Sequence, residues 1–179
     1  MFICFSEKLA GFYNILTPVG TIKGETYFAY LSTNKDGHVD YVHKDTSGRQ
    51  KWRLEPTKDG TFYIMVSGGI ASARKYLGGS LPKDIIVDGD SMLTMLTTNG
   101  QVSSVDLDYM DDTSGRQKWK LEPLKDGTFY IKNGNMLAKK RDLFLSADDS
   151  GNVGLGNKIG HHKWILKHLK YGTYLYQLS

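Results

Sequence analysis

An internal repeat is the feature that most constrains how this chain can fold. Residues 45–56 read DTSGRQKWRLEP and residues 112–123 read DTSGRQKWKLEP, and both copies continue into Lys-Asp-Gly-Thr-Phe-Tyr-Ile. A third, diverged copy ends in residues 160–166, which read GHHKWIL. The tryptophan of each copy marks one position, and successive tryptophans are 67 and 45 residues apart. Such self-similarity indicates three structural units of one kind, of which the middle one is about 22 residues longer than the third.

A second repeated segment lies about 20 residues before the tryptophan of the first and third units. It reads Tyr-Leu-Ser at 30–32 and Phe-Leu-Ser at 144–146, and a turn rich in Asp, Asn and Gly follows each copy. The middle unit offers two counterparts, one beginning at Tyr76 and one at Met95. The residues that precede Tyr76 resemble the residues that precede the third copy, so we favour Tyr76 as the counterpart in the middle unit. This choice places the extra residues within about 79–105.

Each unit reads as four short strands separated by Gly, Asp and Asn turns. In the first unit the expected strands lie near 11–17, 27–32, 38–43 and 50–55, which are rich in aromatic and aliphatic residues that partly alternate with polar ones. We expect no long helix, because no stretch keeps a helical period for more than two turns. A last strand over 174–178 matches the start of the first unit and is expected to close the ring against it.

Three four-strand units whose ends meet describe an all-β fold, the β-trefoil, in which a six-stranded barrel is capped by three hairpins. Closure of the barrel removes exposed sheet edges, and a three-bladed propeller is implausible because propellers have at least four blades. We therefore expect one domain over residues 1–179, with repeats of about 10–57, 58–124 and 125–179 and the insertion in the middle repeat. The three tryptophans, and the Leu two residues after each, are expected to pack in the core.

The composition restricts the compartment and the partners. Cys4 is the single cysteine, which excludes an internal disulfide and a cysteine-based zinc site. We find no signal peptide and no apolar run of about 18 residues, so we expect a cytoplasmic protein without a membrane span, with unconventional secretion left open. The formal charge of +4 fits an acidic partner, but its scattered lysines and arginines form no dense run that would favour nucleic acid.

Catalytic patterns are missing from the sequence. The five histidines show no zinc-protease spacing, and neither a Gly-x-Ser-x-Gly segment nor a phosphate-binding loop is present. His161 and His162 could bind a metal weakly, but they are neighbours on an expected strand, where adjacent side chains point to opposite faces, so we do not predict a metal site there. The sequence thus predicts a non-enzymatic protein with no catalytic residue, no cofactor and no bound metal.

The repeated loop before the tryptophan is the candidate ligand site. Gly, Lys and Trp occur in all three copies and are expected to be structural, whereas the other polar residues recur only in the first two. A carboxylate, hydroxyls, a guanidinium and an amide can hydrogen-bond the vicinal hydroxyls of a sugar, and a nearby tyrosine offers a flat face for a pyranose ring. The candidate binding residues are Tyr41, Asp45, Arg49 and Gln50 in the first loop and Tyr109, Asp112, Arg116 and Gln117 in the second. A recent duplication, with these side chains capping turns, explains the same recurrence.

Two sets of segments resemble known β-trefoil families. Residues 143–153, LFLSADDSGNV, are similar to the repeat of the actin-bundling fascin family, which includes the hisactophilins. The Gln-x-Trp segments at 50–52 and 117–119 resemble the signature of ricin-type lectin trefoils, and the third unit has His162 in place of the glutamine. The first resemblance implies an actin-binding module, and the second implies carbohydrate binding.

Three functions follow from these observations. The leading hypothesis is a lectin-like protein with two similar sites, which binds glycans or glycoproteins and can cross-link them by avidity. The first alternative is a fascin-like module that binds or bundles actin filaments, in line with the basic charge and the absence of disulfides. The second is a protease inhibitor, in which the insertion near Leu81–Asp84 serves as an exposed inhibitory loop.

Overall fold

Twelve β-strands make up the regular structure of the described chain. The structure, a computed structural model, describes residues 9–34, 36–44, 48–67, 76–79, 103–108, 115–134, 142–148, 150–156 and 161–170. Within these ranges no residue is helical. The strands are β1 (Gly11–Ile22), β2 (Glu25–Thr33), β3 (Val39–Val42), β4 (Trp52–Pro56), β5 (Phe62–Val66), β6 (Tyr76–Gly79), β7 (Ser103–Asp108), β8 (Lys118–Pro123), β9 (Phe129–Asn133), β10 (Phe144–Ala147), β11 (Val153–Gly156) and β12 (Ile165–His168). The strand expected over 174–178 lies outside the described residues.

The first and fourth strands of each unit form a closed six-stranded barrel. Within units β1 pairs with β4 and β5 with β8, and between units β4 pairs with β5 and β8 with β9, all antiparallel. Phe129 and Trp164 join β9 to the start of β12 through two backbone hydrogen bonds of 2.8 and 2.9 Å. β12 then pairs with β1 over Tyr13–Leu16. The ring therefore closes through residues 165–168, in the role that the sequence assigns to residues 174–178.

The second and third strands of each unit form three hairpins, which together make a cap. The hairpins are β2–β3, β6–β7 and β10–β11. β11 pairs with β7, and single bridges join His38 to Asp106 and Asp40 to Asn152. Each hairpin therefore contacts the other two around a pseudo-threefold axis. A six-stranded barrel with a three-hairpin cap is the architecture that the triplicated sequence predicts.

The three tryptophans occupy equivalent places in the core, as expected. Each is fully buried. Each indole Nε1 donates a 2.8 Å hydrogen bond to a leucine carbonyl on the second strand of its own unit: Trp52 to Leu31, Trp119 to Leu77 and Trp164 to Leu145. The leucines two residues after the tryptophans also pack in the core, with Leu54 and Leu121 buried and Leu166 partly buried. Burial of each indole contributes about 2–3 kcal/mol, so these positions anchor the fold.

The tryptophan contacts decide between the two candidate positions in the middle unit. Trp119 bonds to Leu77 just as Trp52 bonds to Leu31. Tyr76, which precedes Leu77, is therefore the counterpart of Tyr30, and the position favoured from the sequence is confirmed.

The strand registers locate the insertion of the middle unit. In the other two units the last residue of the second strand pairs with the first residue of the third, six positions later: Thr33 with Val39 and Ala147 with Val153. The equivalent pair in the middle unit is Gly79 with Val105, which lie 26 positions apart. The connection between Gly79 and Val105 is therefore the longer one, and residues 80–102 of it lie outside the described chain.

The β1–β2 hairpin is longer than the sequence predicts. β1 has 12 residues and β2 has nine, whereas β5 has five and β6 has four. The turn residues Lys23 and Gly24 have φ values of 52° and 83°, the geometry of a tight two-residue hairpin turn. Pro18 and Gly20 interrupt the strand pattern in the sequence, but the hairpin accommodates them by a shift of register between these two residues.

Candidate functional site

The twinned loops connect the third strand to the fourth in the first and second units. Each loop turns at a glycine in the left-handed region, Gly48 with φ of 74° and Gly115 with φ of 79°. The carbonyl of this glycine accepts a hydrogen bond from the amide of the lysine three residues later, at 3.3 Å for Lys51 and 3.0 Å for Lys118. Glycine adopts this backbone without strain, which explains why both loops contain it. Three of the eight candidate residues lie outside the described chain: Asp45, Tyr109 and Asp112.

In the first loop, Arg49 and Gln50 are bound to the end of β2. Arg49 Nε donates to the Thr33 carbonyl at 2.9 Å, and Gln50 Nε2 donates to the Ser32 hydroxyl at 2.9 Å. Gln50 is 2% exposed, and its backbone carbonyl accepts a bond from Asn14 Nδ2. Gln50 therefore faces inward and holds the loop on the barrel, whereas Arg49 stays partly exposed.

A carboxylate that the sequence does not single out lies beside this loop. Asp40 is on β3, and burial raises the pKa of its carboxyl, while a hydrogen bond with Ser32 and the charge of Arg49 act in the opposite direction. The charge of Arg49 therefore reaches this carboxyl, while the hydrogen bond of Arg49 goes to the Thr33 carbonyl. The recurrence of Val-Asp at 39–40 and 105–106 is the sequence signal that points to this residue.

In the second loop the same residue types make different inner contacts. Gln117 is fully buried, and neither atom of its side-chain amide has a hydrogen-bond partner in the described part of the chain. The cause lies on β6, where Gly78 takes the place of Ser32 and supplies no hydroxyl. The backbone carbonyl of Arg116 accepts a 2.9 Å hydrogen bond from Asn133 Nδ2. The two loops are thus alike in sequence but not in contacts.

Tyr41 has a leucine at the equivalent register of the second unit. Tyr41 lies on β3, and the residue at the same register of β7 is Leu107, two positions before Tyr109. The Tyr41 hydroxyl donates to the backbone carbonyl of Asp148 at 3.1 Å, and the ring packs partly buried against the core. Tyr41 therefore joins the first hairpin to the third.

The third unit builds the same connection from different residues. His161, at the position of Arg49, exchanges backbone hydrogen bonds of 2.9 and 3.1 Å with Ala147. His162, at the glutamine position, is partly buried, and its ring centroid lies 5.5 Å from that of Tyr130 at an interplanar angle of 34°. In this unit the loop joins the second strand without an arginine or a glutamine.

Two ion pairs link the loop lysines to the turns between units. Lys118 Nζ lies 3.0 Å from Asp59 Oδ2, and Lys163 Nζ lies 2.9 Å from Asp126 Oδ2. Hydrogen bonds from two neighbouring threonine hydroxyls, together with Lys118, hold the pKa of Asp59 well below its usual range. Sequence reasoning treats these lysines as structural but does not name the aspartates. The signal is present, because Lys-Asp-Gly-Thr recurs with the Gln-Lys-Trp segment in the first two copies.

Two kinds of feature are not found in the residues that the structure describes. No three His, Cys, Asp or Glu side chains among them converge in a way that could hold a metal ion. They also contain no helix whose length and apolar character would let it cross a membrane.

Comparison with solved structures identifies the architecture. The designed 3-fold symmetric protein ThreeFoil is similar with a TM-score of 0.56 at 19% identity, over 89% of this chain and 99% of ThreeFoil. The fold is a β-trefoil. No protein-family model matches the sequence, and no curated protein matches it significantly.

Similar β-trefoil structure is found in two natural proteins. The GlcNAcα1-4Gal-releasing endo-β-galactosidase from Clostridium perfringens has a TM-score of 0.57 at 16% identity, over 89% of this chain and 32% of that one. The cytolethal distending toxin of Haemophilus ducreyi has a TM-score of 0.57 at 14% identity, over 97% and 92%. At these identities the likeness establishes the fold alone.

Proposed function

We propose that this β-trefoil is a non-enzymatic, lectin-like protein that binds glycans or glycoproteins. Its two sites lie at the loops between the third and fourth strands of the first and second units, and Arg49 and Arg116 are their central residues. A cytoplasmic location is part of the proposal, in line with the single cysteine.

The difference between the units is the observation that supports this proposal. The third unit joins the same strands with His161 and His162, so the barrel does not require an arginine or a glutamine at these positions. The sequence Asp-Thr-Ser-Gly-Arg-Gln nevertheless occurs in both other loops. An arginine that the scaffold does not need, but that two units share, is a candidate for ligand contact.

The chemistry of Arg49 suits a sugar ligand. Its hydrogen bond to the Thr33 carbonyl uses Nε and orients the guanidinium plane. The terminal nitrogens of an arginine fork can donate to the vicinal hydroxyls of a pyranose. Asp40, on the strand that leads into this loop, supplies a carboxylate that can accept hydrogen bonds.

The comparisons support a glycan as the ligand class. The Clostridium perfringens protein that shares the fold is an enzyme that releases GlcNAcα1-4Gal. The shared region is only 32% of that chain, so the likeness bears on the fold and not on the enzyme's activity. We take from it only the expectation that a β-trefoil of this kind occurs in proteins that act on or bind sugars.

A broad glycan array tests the proposal with four proteins and a matched control. The wild type is compared with Arg49→Ala, Arg116→Ala and the double variant, and His161→Ala is the control at the equivalent place of the third unit. A charged hydrogen bond contributes about 1.5–3 kcal/mol, so each substitution should weaken its own site at least about tenfold. Each single variant keeps one intact site and should lose the avidity of the pair, whereas the double variant should lose binding because both sites are weakened. His161→Ala should bind like the wild type.

Two results would contradict the proposal. One is a wild-type protein that binds no glycan at high concentration, and the other is a double variant that binds as well as the wild type. Because Arg49 also bonds to Thr33, circular dichroism and thermal unfolding must first show that each variant is folded.

The actin-filament and protease-inhibitor hypotheses rest on the sequence and stay predictions. Co-sedimentation with actin filaments over a series of salt concentrations tests the first, because an electrostatic contact weakens as salt rises. Inhibition assays on a variant that lacks the insertion test the second.

A further inference from the structure

The β1–β2 hairpin extends beyond the strands that flank it. On β1, the pairing with β4 and β12 ends at Leu16. On β2, the pairing with β3 begins at Tyr30. Residues 18–28, which we call the arm, pair only with each other among the described strands. Among the described residues the arm is therefore a two-stranded ribbon that extends beyond the strands of the barrel.

The arm carries the large apolar side chains that are exposed in the described chain: Ile22 at 58%, Tyr27 at 45% and Phe28 at 37%. In an antiparallel ribbon, directly opposed residues share a face, and so do residues two apart on one strand. Because Gly20 is opposite Tyr27 and Ile22 is opposite Glu25, Ile22 and Tyr27 lie on one face. Phe28 lies on the other, so apolar groups occupy both faces.

Charge is nearly absent from this part of the chain. Between Gly11 and Thr33 the charged residues are Lys23 and Glu25, on either side of the turn glycine. Lys44, which is exposed, follows β3 near the base of the arm, and the whole chain has a formal charge of +4. The arm therefore loses little charge hydration when it is covered, and the excess of positive charge favours a negatively charged partner.

The geometry of the arm argues against the addition of a strand from another protein chain. On the β1 side, Pro18 has no backbone N–H and the register shifts between Pro18 and Gly20, so a further strand cannot pair there regularly. On the β2 side the open edge runs only over the four residues from Glu25 to Phe28. Stable protein interfaces bury about 1,200–2,000 Å², which is far more than a four-residue edge supplies.

We propose that the arm binds lipid and inserts its end into the interfacial region of a membrane with anionic headgroups. A fluid surface can surround apolar side chains on both faces of a narrow ribbon, with aromatic rings at the headgroup level. The open backbone edges need water, so the arm stops above the hydrocarbon core. The four residues from the turn to Phe28 span about 13 Å, comparable with the roughly 5–10 Å depth of interfacial elements. Lys23 can extend its flexible stem back to the phosphates.

Vesicle co-sedimentation tests this proposal on the full chain. The vesicles consist of phosphatidylcholine with or without phosphatidylserine, lipids that carry no sugar. The wild type should pellet more strongly with phosphatidylserine present. The triple variant Ile22→Thr/Tyr27→Thr/Phe28→Thr should bind at least about a hundredfold more weakly, because each lost apolar side chain weakens binding by about tenfold. Thr26→Ser, on the same arm, is the control and should bind like the wild type.

A fluorescent variant reports insertion directly. Tyr27→Trp places an indole on the arm, while the three native tryptophans are fully buried and supply a constant background. Its emission should shift to shorter wavelength when anionic vesicles are added, because the indole leaves water.

Several outcomes would overturn the proposal. A wild type that does not pellet, or a triple variant that pellets equally well, excludes the arm as a lipid site. A triple variant with a lower free energy of unfolding shows that the arm packs on another part of this chain. Loss of a dimer in sedimentation equilibrium shows that a second copy covers the arm. Failure on these vesicles leaves the glycan proposal intact, because the array and its variants do not involve the arm.

Discussion

Two glutamines in identical sequence surroundings have different energetics, because their partners come from other strands. Gln50 donates to the Ser32 hydroxyl at 2.9 Å. Gln117 lies where Gly78 supplies no hydroxyl, and its buried amide has no partner within the described ranges. A buried amide without a partner destabilises a fold by about 1–3 kcal/mol. The same side chain therefore stabilises the first unit and strains the second.

Substitution of each glutamine by methionine, a side chain of similar length, should give different results. Gln50→Met leaves the Ser32 hydroxyl without its donor and should lower the free energy of unfolding by about 1–2 kcal/mol. Gln117→Met removes an unpaired buried amide and should be neutral or raise that free energy by up to about 1 kcal/mol. Urea unfolding of both variants measures the difference in their free energies of unfolding, provided that the dependence of this free energy on urea concentration is the same as in the wild type.

Ser32→Gly is the matched control, because it gives the first unit the residue that the middle unit has. It should destabilise the wild type more than it destabilises Gln50→Met, in which the shared hydrogen bond is already lost. Equal losses for the two methionine variants would show that Gln117 has a partner and would contradict the argument.

The sequence identifies these residues but not their roles. Both glutamines are visible in the Gln-x-Trp repeat, and the tryptophans of that repeat are correctly placed in the core. The hydroxyl that satisfies Gln50 lies 18 residues earlier on another strand, and local spacing does not reveal such a contact. For the same reason the repeated loop does not point to Asp40, which lies on another strand and whose carboxyl the charge of Arg49 affects.

At the scale of single elements, side-chain networks hold the turns between units. In the turn from β4 to β5, Asp59 accepts hydrogen bonds from the hydroxyls of Thr57 and Thr61 at 2.5 and 2.6 Å. Lys118, at the start of β8, donates to the same carboxylate at 3.0 Å. Because β8 pairs with β5, the network ties the turn to the strand beside it.

Acid should weaken this network. The hydrogen bonds from Thr57 and Thr61, with Lys118, hold the pKa of Asp59 below its unfolded value near 4. Its stabilisation is therefore present above about pH 4 and is lost as the pH falls toward the folded pKa. Asp59 is half exposed, so Asp59→Asn should lower the free energy of unfolding at pH 7 by only about 0.2–1 kcal/mol.

Urea unfolding of wild type and Asp59→Asn at a series of pH values checks this expectation. The difference between the two proteins should shrink as the pH falls below about 4. Asp36→Asn removes an exposed carboxylate in the β2–β3 turn and controls for net charge. A difference that stays constant down to strongly acid pH would show that the ionised form of Asp59 is not what stabilises the turn.

Strands that line the core are predictable, whereas the arm is not. The strands expected near 38–43 and 50–55 appear as Val39–Val42 and Trp52–Pro56, because alternating burial leaves a pattern in the sequence. Residues 18–26 lie beyond the flanking strands and between the strands expected near 11–17 and 27–32, so no alternation marks them as strands. Only the turn at Lys23–Gly24 and the pairing across it define this element.

Closure of the barrel is a property of the whole molecule. Three like units must meet, so the triplication predicts a ring, but the repeat does not decide which strand completes it. Residues 165–168 and 174–178 are both rich in strand-forming residues. The hydrogen bonds between Phe129 and Trp164 position the start of β12, which places residues 165–168 against β1.

The middle unit joins its second and third strands by a longer connection than the threefold framework of the other two units uses. Gly79 and Val105 pair as Thr33 and Val39 do, although 26 positions rather than six separate them. The short turn of the first unit is self-contained, because the Asn34 side chain accepts hydrogen bonds from the amides of two later turn residues. The framework should therefore accept this turn in the middle unit.

Exchange of residues 80–104 for the five residues 34–38 should give a folded β-trefoil of equal or higher stability. The entropic cost of closing the shorter loop is about 1 kcal/mol lower, and thermal and urea unfolding can detect a difference of this size. The variant also separates the functional hypotheses: glycan binding through Arg49 and Arg116 should persist, whereas any protease inhibition through Leu81–Asp84 should disappear. A variant that fails to fold would show that the inserted residues are part of the core, and that the middle unit departs from the other two in more than the length of one connection.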